Sequence, residues 1–425
     1  MSFRRIVLLV TACLLAVPNV IAQQPGGTTP ARDEKLWKRA LDIQRKSIVI
    51  DTHNDILSIM FDENYDLGVS SVGKYHTDLA RMKQGGLSAE FFAVYIDRSY
   101  ARDGGSARRA LDLIDYTYRA VEKYPSDLMM AYSTADIRRA KKQKKIAALM
   151  GIEGGHAIED SMSALRDFYR LGIRYMTLTH NNTHNWADSC CDTAKHNGLS
   201  DFGKEVVREM NRLGMLVDVS HVSDKTMSDV FDVSKAPVIA SHSSARALAD
   251  RTRNIPDDLL KRFGPNGGGV MINFYPGFID QKVVLASRER DARLKPQTDA
   301  LKEQYKADPK KLEEETDKLL AANPLPTTPL SVLLDHFDHV AKVAGIDNVG
   351  IGSDFDGIPS VPLGMEDISK LPVLTYELLK RGYSEKDVRK ILGENFMRAF
   401  GEAERVSRSM SRTISADGSV KRIAR

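Results

Sequence analysis

Histidines and carboxylates, the side chains that hold borderline and hard divalent cations, recur in this chain at the ends of short apolar runs. They are His53 with Asp55, then Glu153, His180, His221, His242 and finally Asp354. In an extended segment residues i and i+2 project to one face, so His53 and Asp55 can reach the same cation. Glu153 closes Ala148-Leu-Met-Gly-Ile-Glu153, where a buried carboxylate is costly unless it is paired or binds metal. The glycines that follow it let a ligand or a second backbone approach closely. A single strand-end histidine is more often structural than metal-binding. His221 and His242, however, end two consecutive runs, and that repetition favours ligation. No thiolate belongs to the set, which suits zinc or another first-row divalent metal. His53, His221, His242, Glu153 and Asp55 are too many ligands for one open tetrahedral site, whereas two cations sharing Glu153 fit them. A two-metal site makes hydroxide near neutral pH and stabilises charge on both sides of a displacement, so hydrolysis is the chemistry to expect.

Further residues can complete such a reaction. Asp354, in Gly352-Ser-Asp354-Phe-Asp356-Gly357, can accept a proton from water and return it to a leaving amine. Asp356 is the alternative, although in such a loop it can equally fix the turn. His180, ending Thr177-Leu-Thr-His180, can donate to a developing oxyanion. Arg253 follows the run that ends in His242 and can hold a substrate carboxylate bidentately. Arg251 competes for that role, and a surface salt bridge is the plain alternative.

These residues need a frame that brings strand ends together. Apolar runs lie at 48–53, 89–96, 146–153, 175–180, 215–221, 237–242, 269–275 and 349–354. Helical spacing appears between most of them, at 106–124, 202–213 and 223–230, and also at 33–46, 368–379 and 384–400. Strands alternating with crossover helices, with chemistry at the strands' C-terminal ends, predict an α/β fold of the (β/α)8 TIM-like barrel type. The charged stretch 287–322 carries Leu301, Tyr305, Leu312 and Leu319 at helical spacing, with Pro309 as a break. It predicts a helical insertion between strands seven and eight, covering the mouth, joining a subunit contact or decorating the surface.

The 425 residues suit one barrel with insertions, and 42% hydrophobic content can fill its core. The net charge of +4 is small. Its Lys/Arg clusters at 138–145 and 405–425 lack interleaved aromatics, which argues against nucleic acid as a partner. Arg4 and Arg5 precede the apolar stretch 6–17, and Val20-Ile-Ala22 offers a small-residue cleavage site. A signal peptide over 1–22 and an exported, periplasmic or secreted protein are therefore expected. Cys13 is poorly placed for lipidation, because more apolar residues follow it, so no lipid anchor is expected. Residues 23–32 read as a flexible leader, 33–403 as one hydrolase domain and 404–425 as a disordered basic tail. Past the signal only Cys190 and Cys191 remain. Sequence neighbours rarely form a disulfide, because the ring strains the peptide between them. The domain is expected to hold together without one.

Taken together, these segments closely resemble the membrane (renal) dipeptidase family of zinc peptidases. The likeness is carried by Asp51-Thr-His-Asn-Asp55, Gly151-Ile-Glu-Gly-Gly155, Thr177-Leu-Thr-His180 with Asn185-Trp-Ala-Asp188, and Val217-Asp-Val-Ser-His-Val-Ser223. It continues through Ser241-His-Ser-Ser-Ala245, Arg253-Asn-Ile-Pro-Asp-Asp258, Met271-Ile-Asn-Phe-Tyr275 and Gly352-Ser-Asp-Phe-Asp-Gly357. The resemblance implies a binuclear zinc barrel that cleaves dipeptides, with His53 and Asp55 on one Zn2+, His221 and His242 on the other, and Glu153 bridging. It also implies that His180 contacts the substrate and its tetrahedral intermediate, Arg253 the free carboxylate, and Asp354 the protons in transit. Tyr275 sits where a family tyrosine lines the pocket.

The departures bear on specificity. Ser58 stands where mammalian members carry a pocket tryptophan, so the wall there is expected to be wider or more polar. The mammalian disulfide cysteines are absent, including the one that links subunits, so a homodimer here would be non-covalent. The 287–322 insertion is absent from the mammalian pattern. Some relatives accept a D-residue on the C-terminal side or open a β-lactam. An amidohydrolase acting on N-acyl amino acids or a lactam is therefore the second reading, separated from the first by whether a free α-amine is required. A solute-binding protein on a retained barrel would have lost metal or proton-transfer residues, and all of them are present.

Overall fold

Nine short runs form strands, all paired in parallel: β1 (Ile50–Asn54), β2 (Ala89–Tyr95), β3 (Leu128–Met130), β4 (Ile146–Glu153), β5 (Ile173–Thr177), β6 (Leu216–Asp218), β7 (Val238–Ser243), β8 (Gly269–Ile272) and β9 (Val349–Ile351). This computed structural model describes residues 32–416; the expected signal peptide, Cys13, residues 23–31 of the leader and residues 417–425 lie outside the described residues. The order β1-β2-β4-β5-β6-β7-β8-β9 makes a nearly closed barrel of eight strands, as the alternating pattern predicts. Asp354 N donates to His53 O (3.1 Å) and Asp55 N to Phe355 O (2.9 Å), so the chain leaving β9 returns to β1 at the strand ends.

β3 is absent from the sequence reading. It lies off the barrel path, with Leu128 opposite Ile146, and β5 takes over along β4 from Met150 onward. Leu128-Met-Met130 has only three residues, too few for a period to register. Most strands after β4 also end earlier than the apolar runs do; β7 instead runs one residue past His242. β5, β6, β8 and β9 each stop three residues short of His180, His221, Tyr275 and Asp354. Those four residues sit on the turns above the strands, where the backbone is free of the ladder.

Two apolar clusters sandwich the strand walls. The inner one combines Ile50, Phe91, Leu149, Leu216 and Ile239 with Phe396 and Phe400 of the last helix, Asn395–Ala416. The outer one packs Phe92, Val94, Met150, Ile152 and Val217 against the surrounding helices. Helix starts follow local chemistry: Asp33, Ser223 and Ser384 each accept hydrogen bonds from backbone N–H groups of the first turn they cap.

The charged stretch forms two helices, Gln281–Gln304 and Pro309–Ala321, with Asp280 and Asp308 as caps. The first begins six residues earlier than the sequence reading places it. The last helix also continues past 403, to Ala416, which corrects the expectation of disorder over 404–416. Two contacts account for this: Val406 packs on the inner cluster and Ser407 Oγ donates to Arg212 O at 2.7 Å. Among the described residues no helix is long and apolar enough to cross a membrane.

A buried histidine ties the outer layer together. On helix Leu330–Val343, His336 accepts from Ala245 N at Nδ1 (3.0 Å) and donates from Nε2 to Ile279 O (2.9 Å), which requires the neutral ring. Burial pushes its pKa down to about 4. The unfolded chain then binds a proton that the folded chain refuses. The stability contribution is full above the ordinary histidine value and is lost as pH falls to the folded one, about 3 kcal/mol in all. His336→Asn is expected to lower Tm at pH 7 and to flatten its decline between pH 6.5 and 4; an unchanged decline would remove His336 as its source.

Candidate metal centre

His53 and His242 lie within β1 and β7, and Glu153 ends β4. On β1 the pairing register shifts between Asp51 and Asn54. As a result two successive side chains face inward: Thr52 Oγ1 donates to Ser241 O (2.6 Å), and His53 Nδ1 meets Tyr175 Oη (2.8 Å). His221 and Asp354 have φ of 65° and 64°, the left-handed region that residues with side chains enter only under constraint, at a cost of about 1–3 kcal/mol each. Functional sites are where such strain collects.

The Glu153 carboxylate divides its two oxygens. Oε1 lies 3.0 Å from His221 Nε2 and 3.2 Å from His242 Nε2, whereas Oε2 lies 3.5 Å from His53 Nε2. His53 Nε2 is in turn 3.3 Å from Asp55 Oδ2. Three groups that could hold a metal ion result, each with donor atoms within 4.8 Å of one another: His53, Asp55 and Glu153; Glu153, His221 and His242; and His53, His242 and Asp354. All six residues are buried.

The far nitrogens of the imidazoles are each committed. Tyr175 Oη donates to Thr52 O (3.1 Å) and so must accept from His53 Nδ1. His221 Nδ1 faces Asn181 Oδ1 (3.0 Å), a pure acceptor. Ser241 Oγ donates to Asp218 Oδ2 (2.6 Å) and so accepts from His242 Nδ1 (2.8 Å). Each Nδ1 therefore carries the proton, and each Nε2 presents a lone pair to the cluster. His221 and His242 bring these Nε2 atoms to 3.0 Å. Three converging lone pairs around a split carboxylate fit a cation set. They fit no all-protein hydrogen-bond pattern without extra protons.

The electrostatics agree. Burial, reinforced by Arg253 and neighbouring imidazoles, drives His221 and His242 well below the ordinary histidine value and keeps them neutral. Burial alone would raise Glu153, but His53, His180, His221 and His242 outweigh it and hold the carboxyl well below the usual range. At His53 burial is overcome by Tyr175, Glu153 and Asp55, which favour positive charge there. A cation meets the same demand.

A chain model of the membrane dipeptidase family (peptidase family M19) matches residues 37–413. The chain belongs to this family. Among solved structures it is similar to the probable dipeptidase PvdM from Pseudomonas aeruginosa, at 26% identity over 88% of this chain and 100% of that one, with a TM-score of 0.75. It is also similar to a metallo peptidase from Rhodobacter sphaeroides liganded with a phosphinate mimic of the dipeptide L-Ala-D-Ala, at 26% identity over 85% and 100%, TM-score 0.67. The dipeptidase AC, a metallo peptidase of family M19, matches at 25% identity over 84% and 99%, TM-score 0.68.

Around this family centre the other sequence-selected residues gather. Asp354 approaches His53 Nε2 at 3.9 Å and accepts from Asn273 Nδ2 at 2.6 Å. Burial first, then the Asp55 charge, push its carboxyl well above the ordinary range. His180 packs its ring 4.5 Å from that of His221 and edge-on to Tyr95 at 4.8 Å. Arg253 donates to Ser243 Oγ and His242 O, both at 2.7 Å, and is buried. Arg251 instead donates from Nε to Gly277 O, and Asp356 takes up His76 N at 2.7 Å, fixing the turn. Tyr275 is half-buried, its backbone N donating to Asn273 Oδ1 (2.6 Å). The sequence reading missed Tyr175, Asn181, Asp218, Ser241 and Asn273. Asp218 alone gave a signal, as a charged residue inside an apolar run.

Asp218 also accepts from Thr177 Oγ1 (2.5 Å) and from the N–H groups of Ser220 (3.0 Å) and Ser241 (2.8 Å). Replacing it releases His242 without touching any ligand atom. Asp218→Asn is expected to weaken divalent-cation binding roughly 10–100-fold, read by competition with a chromophoric chelator; wild-type affinity would leave Asp218 a purely structural residue.

Proposed function

We propose that this chain is a dipeptidase that holds two Zn2+ ions and hydrolyses the peptide bond of dipeptides bearing a free C-terminal carboxylate. The observation that carries the reading is the division of Glu153, one oxygen toward His221 and His242 and the other toward His53 and Asp55. It supports His53 and Asp55 as ligands of one ion, His221 and His242 of the other, and Glu153 between them. The similarity to a metallo peptidase liganded with a dipeptide mimic supports the substrate class, and its D-alanine moiety supports trying L,D as well as L,L dipeptides. The apolar stretch behind Arg4 and Arg5 supports an exported enzyme.

Bound there, the ions would supply the charge that polarises a carbonyl and lowers the pKa of water. The remaining work falls to the chain. Asp354, its carboxyl raised by burial, takes a proton at Oδ1 or Oδ2 and delivers it to the leaving amine, with Asn273 holding its orientation. His180, lowered by burial, stays neutral and can donate one N–H to oxyanion charge. Arg253, its plane fixed by Ser243 and His242, receives the substrate carboxylate.

The test is a panel of L,L and L,D dipeptides with N-acetylated and C-amidated controls, run with chelation and zinc restoration. Cleavage of free dipeptides alone, lost and regained with zinc, is expected; cleavage confined to the N-acylated set would establish an amidohydrolase instead. Arg253→Ala should raise KM for free dipeptides by roughly 10–100-fold with kcat much less affected, and a comparable loss of kcat together with a lowered Tm would indicate structural damage. Asp354→Asn should keep its metal and lose kcat by at least about 100-fold; near-normal turnover would assign the proton transfer elsewhere.

A further inference from the structure

The loop between β5 and helix Asp201–Leu213 contains two thiols that the proposed reaction does not use. The Sγ atoms of Cys190 and Cys191 lie 2.7 Å apart, and both cysteines are free. Cys191 is exposed and Cys190 half-buried, so a reagent meets Cys191 first with Cys190 already against it. These two residues and Ser189 brace the candidate metal centre. Cys190 N donates to His221 O (2.9 Å), Cys191 N to Ser189 Oγ (3.2 Å), and Ser189 Oγ to His180 O (2.6 Å).

We propose that Cys190 and Cys191 form a dithiol modification site beside His180 and His221, which a disulfide-bearing oxidant converts to a ring disulfide that alters dipeptide binding. The effect on binding rests on the dipeptidase reading; the thiol chemistry does not. In the first step the Cys191 thiolate attacks one sulfur of the oxidant RSSR, its S–S bond breaks, and one RS⁻ leaves and takes up a proton. Cys190 then loses its proton and attacks Cys191 Sγ, expelling the second RS⁻. The pair gives up two electrons and two protons, and the oxidant leaves as two RSH.

The hydrogen bonds give the route of the effect. Ser189 Oγ, which accepts from Cys191 N, donates to His180 O, and Cys190 N donates to His221 O, so closing the ring pulls on the backbone of both histidines.

Full-length protein treated with oxidised glutathione is expected to lose two hydrogens on the peptide carrying 190–191, reversibly with dithiothreitol. KM for a dipeptide should then change by at least about twofold, and Cys191→Ser should not respond. A stable glutathione adduct, or unreacted thiols, would overturn the dithiol site. A closed ring with unchanged KM would overturn its coupling to the pocket. Ring closure is read by mass and the dipeptidase reading by hydrolysis in the reduced enzyme, so the two fail separately.

Discussion

The upper end of the barrel is organised around one buried carboxylate. Glu153 is 4% exposed, and left unpaired there it would cost several kcal/mol. Its neighbours instead divide the charge between two sides supplied by different strands. His53 of β1, with Asp55 just beyond it, stands on one side; His242 of β7 and His221 on the turn above β6 stand on the other. The strands must therefore meet at this level, and barrel closure between β9 and β1 occurs beside His53 itself. Fold and centre are one constraint seen at two scales.

A second layer makes the imidazoles usable. Their Nδ1 atoms are held by a tyrosine, an amide and a serine backed by Asp218. The tyrosine depends on a missing side chain: a Cβ on Gly151 would fall 2.0 Å from the Tyr175 ring. The glycine in Met150-Gly-Ile-Glu153 therefore makes room for the phenol that orients His53 from the neighbouring strand. Orientation is settled in the walls of the barrel, well below the ligand atoms.

Much of this was legible from sequence, for a definite reason. Candidate ligands at barrel strand ends are polar interruptions of apolar runs, and His53, Glu153, His221 and His242, which the fold brings together, interrupt them visibly. The strand–helix alternation is equally coarse. What escaped was short or mutual. β3 has too few residues to show a period. Tyr175 reads as an ordinary aromatic of a buried strand, and Ser241 as an ordinary serine, until the partner across the barrel is known. The last helix past 403 looks too polar to fold, yet Val406 and Ser407 suffice to seat it. Ser58 Oγ is buried without a hydrogen-bond partner among the described residues.

The irregularity in β1 has a consequence of another kind. In a regular strand Thr52 and His53 would face opposite sides; the shifted register between Asp51 and Asn54 lets both face inward. Thr52 then staples β1 to Ser241 of β7 while His53 enters the centre. What is specified here is a count. The apolar residues Ile48, Val49 and Ile50 can exchange for side chains of similar size, but one residue added or removed would rotate the histidine out of the barrel. Chain length here is therefore under tighter control than the identity of those three residues.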